Sequence, residues 1–355
     1  MEIYYAIHYS VLFAACSGLL YLSEVVSFPT RTRNLQSGVL FLVSLMIYAA
    51  DGYFLNDRGR DTLGYRTHYE LPEGYESFFT MSTVVYRFEP GYTIIVQVAR
   101  LIGLSFEDFR FVLNAASFAL IAKIADTLQI RRSRAFLFIS LSDFGFFSYN
   151  GIRQWFALLL IYIVLLDQRK TSKSRAFYGL TALLFHRTAI VPLAIGFAST
   201  ILTKGGAVRK IVIATSAMVG VYLLYANLVR VFPRISLVDL LDVEKLGLSE
   251  SIGFGWLVQS TVNVLSILAV LNLRTCPSWL KIFNGIWIGL YTLYAYNPLI
   301  MRVGAYFQFA QIIIFCVFLS GATRKSTSVV VGYIVLTLLQ FYTSIFANSH
   351  GIVTG

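Results

Sequence analysis

Apolar stretches of about 15 to 20 residues recur from one end of this chain to the other, with only short polar links between them. That pattern restricts the fold more than any other feature. A helix needs roughly 20 apolar residues to cross a hydrocarbon layer about 30 Å thick, and inside that layer every backbone N–H and C=O must find a partner within the chain. Of 355 residues, 57% are hydrophobic and 13% charged, and the mean hydropathy is +0.69. A soluble globular domain is excluded, and twelve spans would take about 240 residues, leaving no room for a separate water-soluble domain. The expected fold is an all-α polytopic membrane protein, one integral membrane domain over 1–355.

Spans are expected over 5–22, 36–54, 109–128, 134–149, 151–167, 176–187, 188–202, 211–229, 256–273, 282–298, 303–320 and 328–346. The run 90–104 is a shorter extra segment, broken by Arg100 and Gly103. The first run lacks a basic leader and a small-residue cleavage site, so it reads as a retained helix. Cys16, Cys276 and Cys316 lie in or beside apolar runs, without the pairing of a disulfide framework or zinc site, and read as packing residues.

A net charge of +11 on a soluble protein would raise nucleic acid as a partner. Here the cations lie between the apolar runs and report topology instead. Arg31 and Arg33, Arg131, Arg132 and Arg134, Arg169, Lys170, Lys173 and Arg175, Lys204, Arg209 and Lys210, Arg274 and Lys281, and Arg324 and Lys325 mark one cytoplasmic face. All six links lie inside only if 90–104 re-enters or lies in the interface. A larger loop at 55–88 and a second at 230–255 then share the outer face with the hairpins 149–153, 186–188 and 297–302.

Those outer segments hold the residues that are hardest to explain as packing. The first loop opens on Asn56, Asp57, Arg58, Gly59, Arg60, Asp61, Thr62, Leu63, Gly64 and Tyr65, and it closes on Arg87, Phe88, Glu89, Pro90, Gly91 and Tyr92. Forked cations, carboxylates and flat rings are the groups that phosphates and sugars require. Arg153, in the tight link Asn150-Gly151-Ile152-Arg153-Gln154-Trp155, places a guanidinium at the membrane boundary, where such charges face a cavity or a partner. His186 and Arg187 interrupt another outer hairpin, and Arg302 repeats the pattern in a third. Lys123 and Asp126 stand at i and i+3 and are expected to neutralise each other. Asp51 and Asp143 are isolated carboxylates near apolar runs.

No G-x-x-x-x-G-K-[ST], G-x-G-x-x-G or G-x-S-x-G occurs, and His8, His68, His186 and His350 are too scattered for a helical metal motif. An enzyme with this equipment needs a substrate that is already activated, and a lipid-linked diphosphate at the outer face is one. A transporter or flippase of a lipid-linked or anionic solute is the alternative, but it would put charges at the midplane and show an internal repeat. Neither is evident in the sequence.

The succession Asp61-Thr62-x-x-Tyr65 with Arg58 upstream, Glu89-Pro90-Gly91-Tyr92, Ile152-Arg153-Gln154-x-x-Ala157, Phe185-His186-x-Thr188-Ala189 and Arg302-x-x-x-Tyr306 resembles the EpsG-like members of the Wzy polysaccharide polymerases. The resemblance runs over roughly residues 45 to 310, and members often carry glycine where Arg60 stands. It implies a GT-C-like architecture in a bacterial inner membrane, with the active site facing the periplasm. It also implies transfer of a growing glycan from undecaprenyl diphosphate to an incoming lipid-linked repeat unit, without a metal or other cofactor. An O-antigen ligase would use the same donor. A flippase supplies the substrate, and a flippase and a chain-length regulator are candidate partners besides the lipid bilayer; no nucleic acid is expected. On this reading Arg153, Arg302, Arg58 and Arg187 hold the diphosphate. Glu89, His186 and Asp61 are the candidate bases, and Tyr65, Tyr92, Gln154 and Trp155 are candidate sugar or lipid contacts.

Overall fold

A computed structural model describes residues 2–25, 33–54, 60–70, 89–140, 151–166, 172–204, 254–273, 277–294 and 298–320. Among them every regular element is helical, twelve α-helices and one 3-10 turn. The chain divides into two compact units, Met1–Ala189 with Phe341–Gly355, and Ile190–Gln340.

In the first unit α1 (Glu2–Val25), α2 (Arg33–Phe54), α5 (Phe106–Thr127) and α6 (Arg132–Ser140) pack together. Phe118 of α5 is fully buried, with its ring 5.4 Å from Phe41, 5.6 Å from Tyr48 and 4.3 Å from Phe136. Such aromatic pairs add to the area they remove from solvent. Where α1 and α2 touch, the Ser44 hydroxyl donates to the Cys16 carbonyl at 3.1 Å, so a buried hydroxyl is satisfied across the interface. Cys16 and Cys316 are buried, and the Cys16 thiol donates to the Ser44 carbonyl at 3.5 Å. Asp126 is held by Arg132, whose Nε and Nη2 donate at 2.8 and 2.7 Å, so its partner is the head of α6 and not Lys123 as its spacing suggested.

Four further helices complete the unit. Between α2 and α5 come α3 (Arg60–Tyr69) and α4 (Pro90–Leu101); α7 (Ile152–Leu166) and α8 (Ser172–Phe185) follow α6. Helix α7 is buried on nearly all sides from Ile152 to Leu165, as the unbroken apolar run that begins at Trp155 demands of a central helix. Helix α8 packs along it, and the 3-10 turn Arg187–Ala189 follows.

Helix α4 settles the shape of the 90–104 segment. Gly103 takes a left-handed φ of 76°, and its N–H donates to the Arg100 carbonyl at 2.9 Å while that of Leu104 donates to Ala99 at 3.0 Å. This pair of hydrogen bonds closes the helix in a Schellman turn. Ser105 and Asp108 then form a capping box that starts α5. Twelve residues at about 1.5 Å each give roughly 18 Å, well short of the hydrocarbon thickness.

The second unit holds α9 (Ile190–Lys204), α10 (Phe254–Asn272), α11 (Ser278–Tyr294) and α12 (Pro298–Ser320). Gly304 lies against the Trp287 ring, the Phe283 and Phe307 rings stand 4.9 Å apart, and the buried Gln311 amide donates to Asn263 Oδ1 at 3.0 Å.

Two expectations change here. The 55–88 loop contains a helix, α3, where only loop was expected, because its low mean hydropathy hid a packed face. Among the described residues no helix is long and apolar enough to cross a membrane, so the twelve crossings are not carried by the structure. The expected spans 211–229 and 328–346, most of the 230–255 loop and Asp143 lie outside the described residues.

Candidate active site

Three of the motifs meet in the first unit. Glu89 is the N-cap of α4, in an extended conformation (φ −67°, ψ 148°), and Pro90 fixes the first helical position. Its side chain makes no hydrogen bond to its own helix. Arg153 sits in the first turn of α7, where a cation opposes the helix dipole and calls for a counter-ion. That counter-ion is Glu89: Nη1 of Arg153 donates to Oε2 of Glu89, with the two side chains only 17% and 10% exposed.

Tyr65 and Tyr92 hold the same guanidinium. Its carbon lies 5.4 Å from the Tyr65 ring centre and 5.7 Å from that of Tyr92, within cation–π range, and Nε donates to the Tyr65 hydroxyl at 3.4 Å. The rings themselves are 5.4 Å apart. Tyr65, Tyr69, Tyr92, Val96, Phe106, Phe109 and Ile152 form the apolar core beneath the pair. Helix α3 is anchored there by Arg66, which bridges Glu70 at 3.0 Å and Glu107 at 2.5 Å, and by Tyr69, whose hydroxyl donates to the Leu104 carbonyl at 2.8 Å.

The end of α8 closes on this cluster. A Cβ on Gly91 would lie 2.8 Å from Leu184 backbone atoms, so only glycine lets the start of α4 approach so near. The Phe185 ring packs on Phe156 at 4.7 Å. Just beyond, His186 Nδ1 and the Thr188 hydroxyl are 2.6 Å apart, and Arg187 is exposed in the 3-10 turn, which packs on α7.

His68 was passed over in the sequence as one of four scattered histidines. It lies fully buried one turn beyond Tyr65 on α3, stacked 6.0 Å from Tyr92. Burial, followed by the positive charges of Arg153 and Arg100, lowers its pKa to about 4, so it is neutral near pH 7. The i, i+3, i+4 series Tyr65, His68, Tyr69 was the signal that could have found it, once 60–69 was read as helix. Arg110 and Asn114 were also missed. Arg110 is buried with its guanidinium 5.8 Å from the Phe106 ring, and neither end of the buried Asn114 amide has a hydrogen-bond partner among the described residues.

The structure therefore joins Glu89, Arg153, Tyr65 and Tyr92, with the His186 turn close along α7 and α8. Tyr92, Gln154 and Trp155 are buried, and the two tyrosines carry Arg153 on their rings. Asp61 lies on α3 and Arg302 on α12 of the second unit, but their side chains are outside the described residues, as is Arg58 altogether. Among the described residues no cluster of three His, Cys, Asp or Glu could hold a metal ion. A guanidinium lying within cation–π range of two rings and beside one carboxylate is equipped to take an anion and, next to it, a proton.

A model of the EpsG family matches residues 37–353. The chain belongs to the EpsG family. Membership ties it to polysaccharide biosynthesis and to the membrane, and the matched range takes in both compact units and every candidate residue from Arg58 to Arg302. No curated protein and no solved structure matches this EpsG chain significantly.

Proposed function

We propose that this EpsG protein is a metal-independent glycosyltransferase of the Wzy type. It polymerises undecaprenyl-diphosphate-linked oligosaccharide units on the periplasmic side of the bacterial inner membrane. The observation that carries the reading is the Arg153 guanidinium, mostly buried, within cation–π range of Tyr65 and Tyr92 and facing Glu89, at the junction of three family-like motifs. Cleavage of the bond between the anomeric carbon and the phosphate oxygen leaves negative charge on the diphosphate. A preorganised guanidinium in a partly dry site stabilises that charge. Arg153 takes this role, with Arg302, Arg58 and Arg187 as further diphosphate contacts. Glu89 is the acceptor of the hydroxyl proton, with His186 and Asp61 the other candidates.

The direction in which side chains face supports membrane embedding. On α2 the exposed residues Val39, Leu42, Val43 and Met46 form an i, i+3, i+4, i+7 stripe, and Val264, Ile267, Leu268 and Leu271 do the same on α10. Behind the second stripe the buried face carries Asn263 and Ser266. Apolar outside with polar inside is the arrangement a helix adopts in lipid. The short α4, with Ile94, Val98, Leu101 and Ile102 exposed, fits a re-entrant or interfacial element among about twelve crossings of GT-C-like architecture.

The test is a single-turnover assay of purified protein in nanodiscs with a lipid-diphosphate-linked oligosaccharide, without added metal or nucleotide. A ladder of longer lipid-linked glycans is expected, and it should vanish in folded Arg153→Ala and Arg302→Ala variants. Movement of intact substrate across a sealed membrane without lengthening would sink the reading in favour of transport.

A further inference from the structure

We propose that the Glu89 carboxylate is a resident stand-in for substrate phosphate: it occupies the anion seat on Arg153, and the arriving diphosphate displaces it and so frees it to accept a proton. The inference rests on the glycosyl-transfer reading above and adds a coupling between donor binding and base release.

Three features of Glu89 separate it from a structural counter-ion. A carboxylate kept as a permanent partner of a buried arginine is typically bidentate and further hydrogen-bonded, since the cost of desolvating two charges is otherwise poorly offset. The Glu89 side chain is only 10% exposed, yet the one hydrogen bond its carboxylate accepts among the described residues comes from Nη1 of Arg153. It stands at the N-cap of α4 but does not cap that helix. Its backbone is held by Pro90 at the first helical position, so the carboxylate can leave the guanidinium by side-chain rotation alone while staying beside the site.

The seat itself suits a phosphate better than a carboxylate. Arg153 offers a planar donor array, and the Tyr65 hydroxyl lies 3.4 Å from Nε. A diphosphate brings more charge and more acceptor oxygens than one carboxylate, so it competes for the same donors with advantage. Once displaced, Glu89 takes the proton of the attacking hydroxyl as the new glycosidic C–O bond forms. The bond from the anomeric carbon to the phosphate oxygen breaks, its electron pair leaves on the diphosphate, and the proton later passes from Glu89 to water. Before the donor arrives the base is sequestered, which protects against premature activation of water.

The experiment measures undecaprenyl diphosphate binding and glycan lengthening for wild type, Glu89→Gln and Arg153→Ala in nanodiscs. If Glu89 is a stand-in, Glu89→Gln binds the diphosphate several-fold more tightly than wild type while turnover falls by about 10² or more, the usual contribution of a general base. Arg153→Ala loses binding. Weaker binding by Glu89→Gln, with wild type binding normally, would overturn the inference, showing that Glu89 merely positions Arg153; the glycosyl-transfer reading would survive. If wild type and Arg153→Ala bind the diphosphate equally or not at all, that reading fails and the inference with it. Should Glu89→Gln not fold, Glu89→Asp takes its place: one methylene shorter, it loosens the pair while keeping the charge, and tighter diphosphate binding than wild type is again required.

Discussion

Arg153 is held by its shape as much as its charge. Nη1 faces Glu89, Nε faces the Tyr65 hydroxyl, and the guanidinium carbon lies within cation–π range of two rings. A lysine reproduces the charge but neither the fork nor the stacking. Arg153→Lys is therefore expected to lose most glycan-lengthening activity while remaining folded, as read by the nanodisc assay together with melting. His68 makes a prediction about pH. Its folded pKa of about 4 lies below the ordinary 6.5, so above pH 6.5 the neutral ring costs nothing. As pH falls from about 6.5 towards 4 the unfolded chain takes up a proton that the folded chain refuses, and stability is lost. The melting temperature of His68→Phe should fall less over that window than that of wild type; equal slopes would contradict this account. The buried Asn114 amide has no hydrogen-bond partner among the described residues, so Asn114→Leu is expected to stabilise the protein by about 1 kcal/mol, measured by thermal melting. Of these residues only Arg153 was evident in the sequence, because a cation in a tight apolar hairpin stands out. His68 and Asn114 look ordinary until their neighbours are known.

The elements were legible in proportion to their apolar length. Helices α1, α2, α5, α7, α10 and α12 fall within a few residues of the expected spans, since long apolar runs leave few alternatives to a helix. Helix α3 was not legible: Arg60–Tyr69 is polar on average, and only its buried face of Tyr65, His68 and Tyr69 gives it a reason to form. Helix α4 was found as a segment, but its length depended on the turn at Gly103. Its start makes a sharp prediction. A methyl group at Gly91 would meet Leu184 backbone at 2.8 Å, so Gly91→Ala must push α4 away from α8. Overpacking of this kind costs about 1–3 kcal/mol, and because Glu89 is two residues away, activity should fall further than the drop in melting temperature explains. At the end of α5 Gln129 adopts φ 56°, a left-handed conformation that glycine takes more easily. Gln129→Gly is expected to leave stability unchanged or raise it by a few tenths of a kcal/mol, as thermal melting would report.

For the whole molecule the central expectation is that the exposed apolar stripes of α2 and α10 face lipid. The protein should then stay with the membrane pellet after alkaline carbonate washing, and release into the supernatant would contradict the embedding. The short α4 predicts that a cysteine placed at Ser105, exposed between α4 and α5, reacts with an impermeant reagent from the outer face. Labelling only from the cytoplasmic face would make 90–104 a full crossing.

By itself the sequence determined the helical class, the approximate limits of the long helices and the set of polar hairpins in which a site had to be sought. Those follow from apolar run length and charge placement, which are local properties. Only tertiary structure decided that Glu89 meets Arg153 across 64 residues, that two tyrosines hold the guanidinium, and that a neutral histidine lies beneath them. Helices α3, α4 and α7 must pack before any of these side chains has a neighbour. A pairing across that distance leaves no period or spacing in the sequence, because it is set by the shapes of the helix faces that close around it.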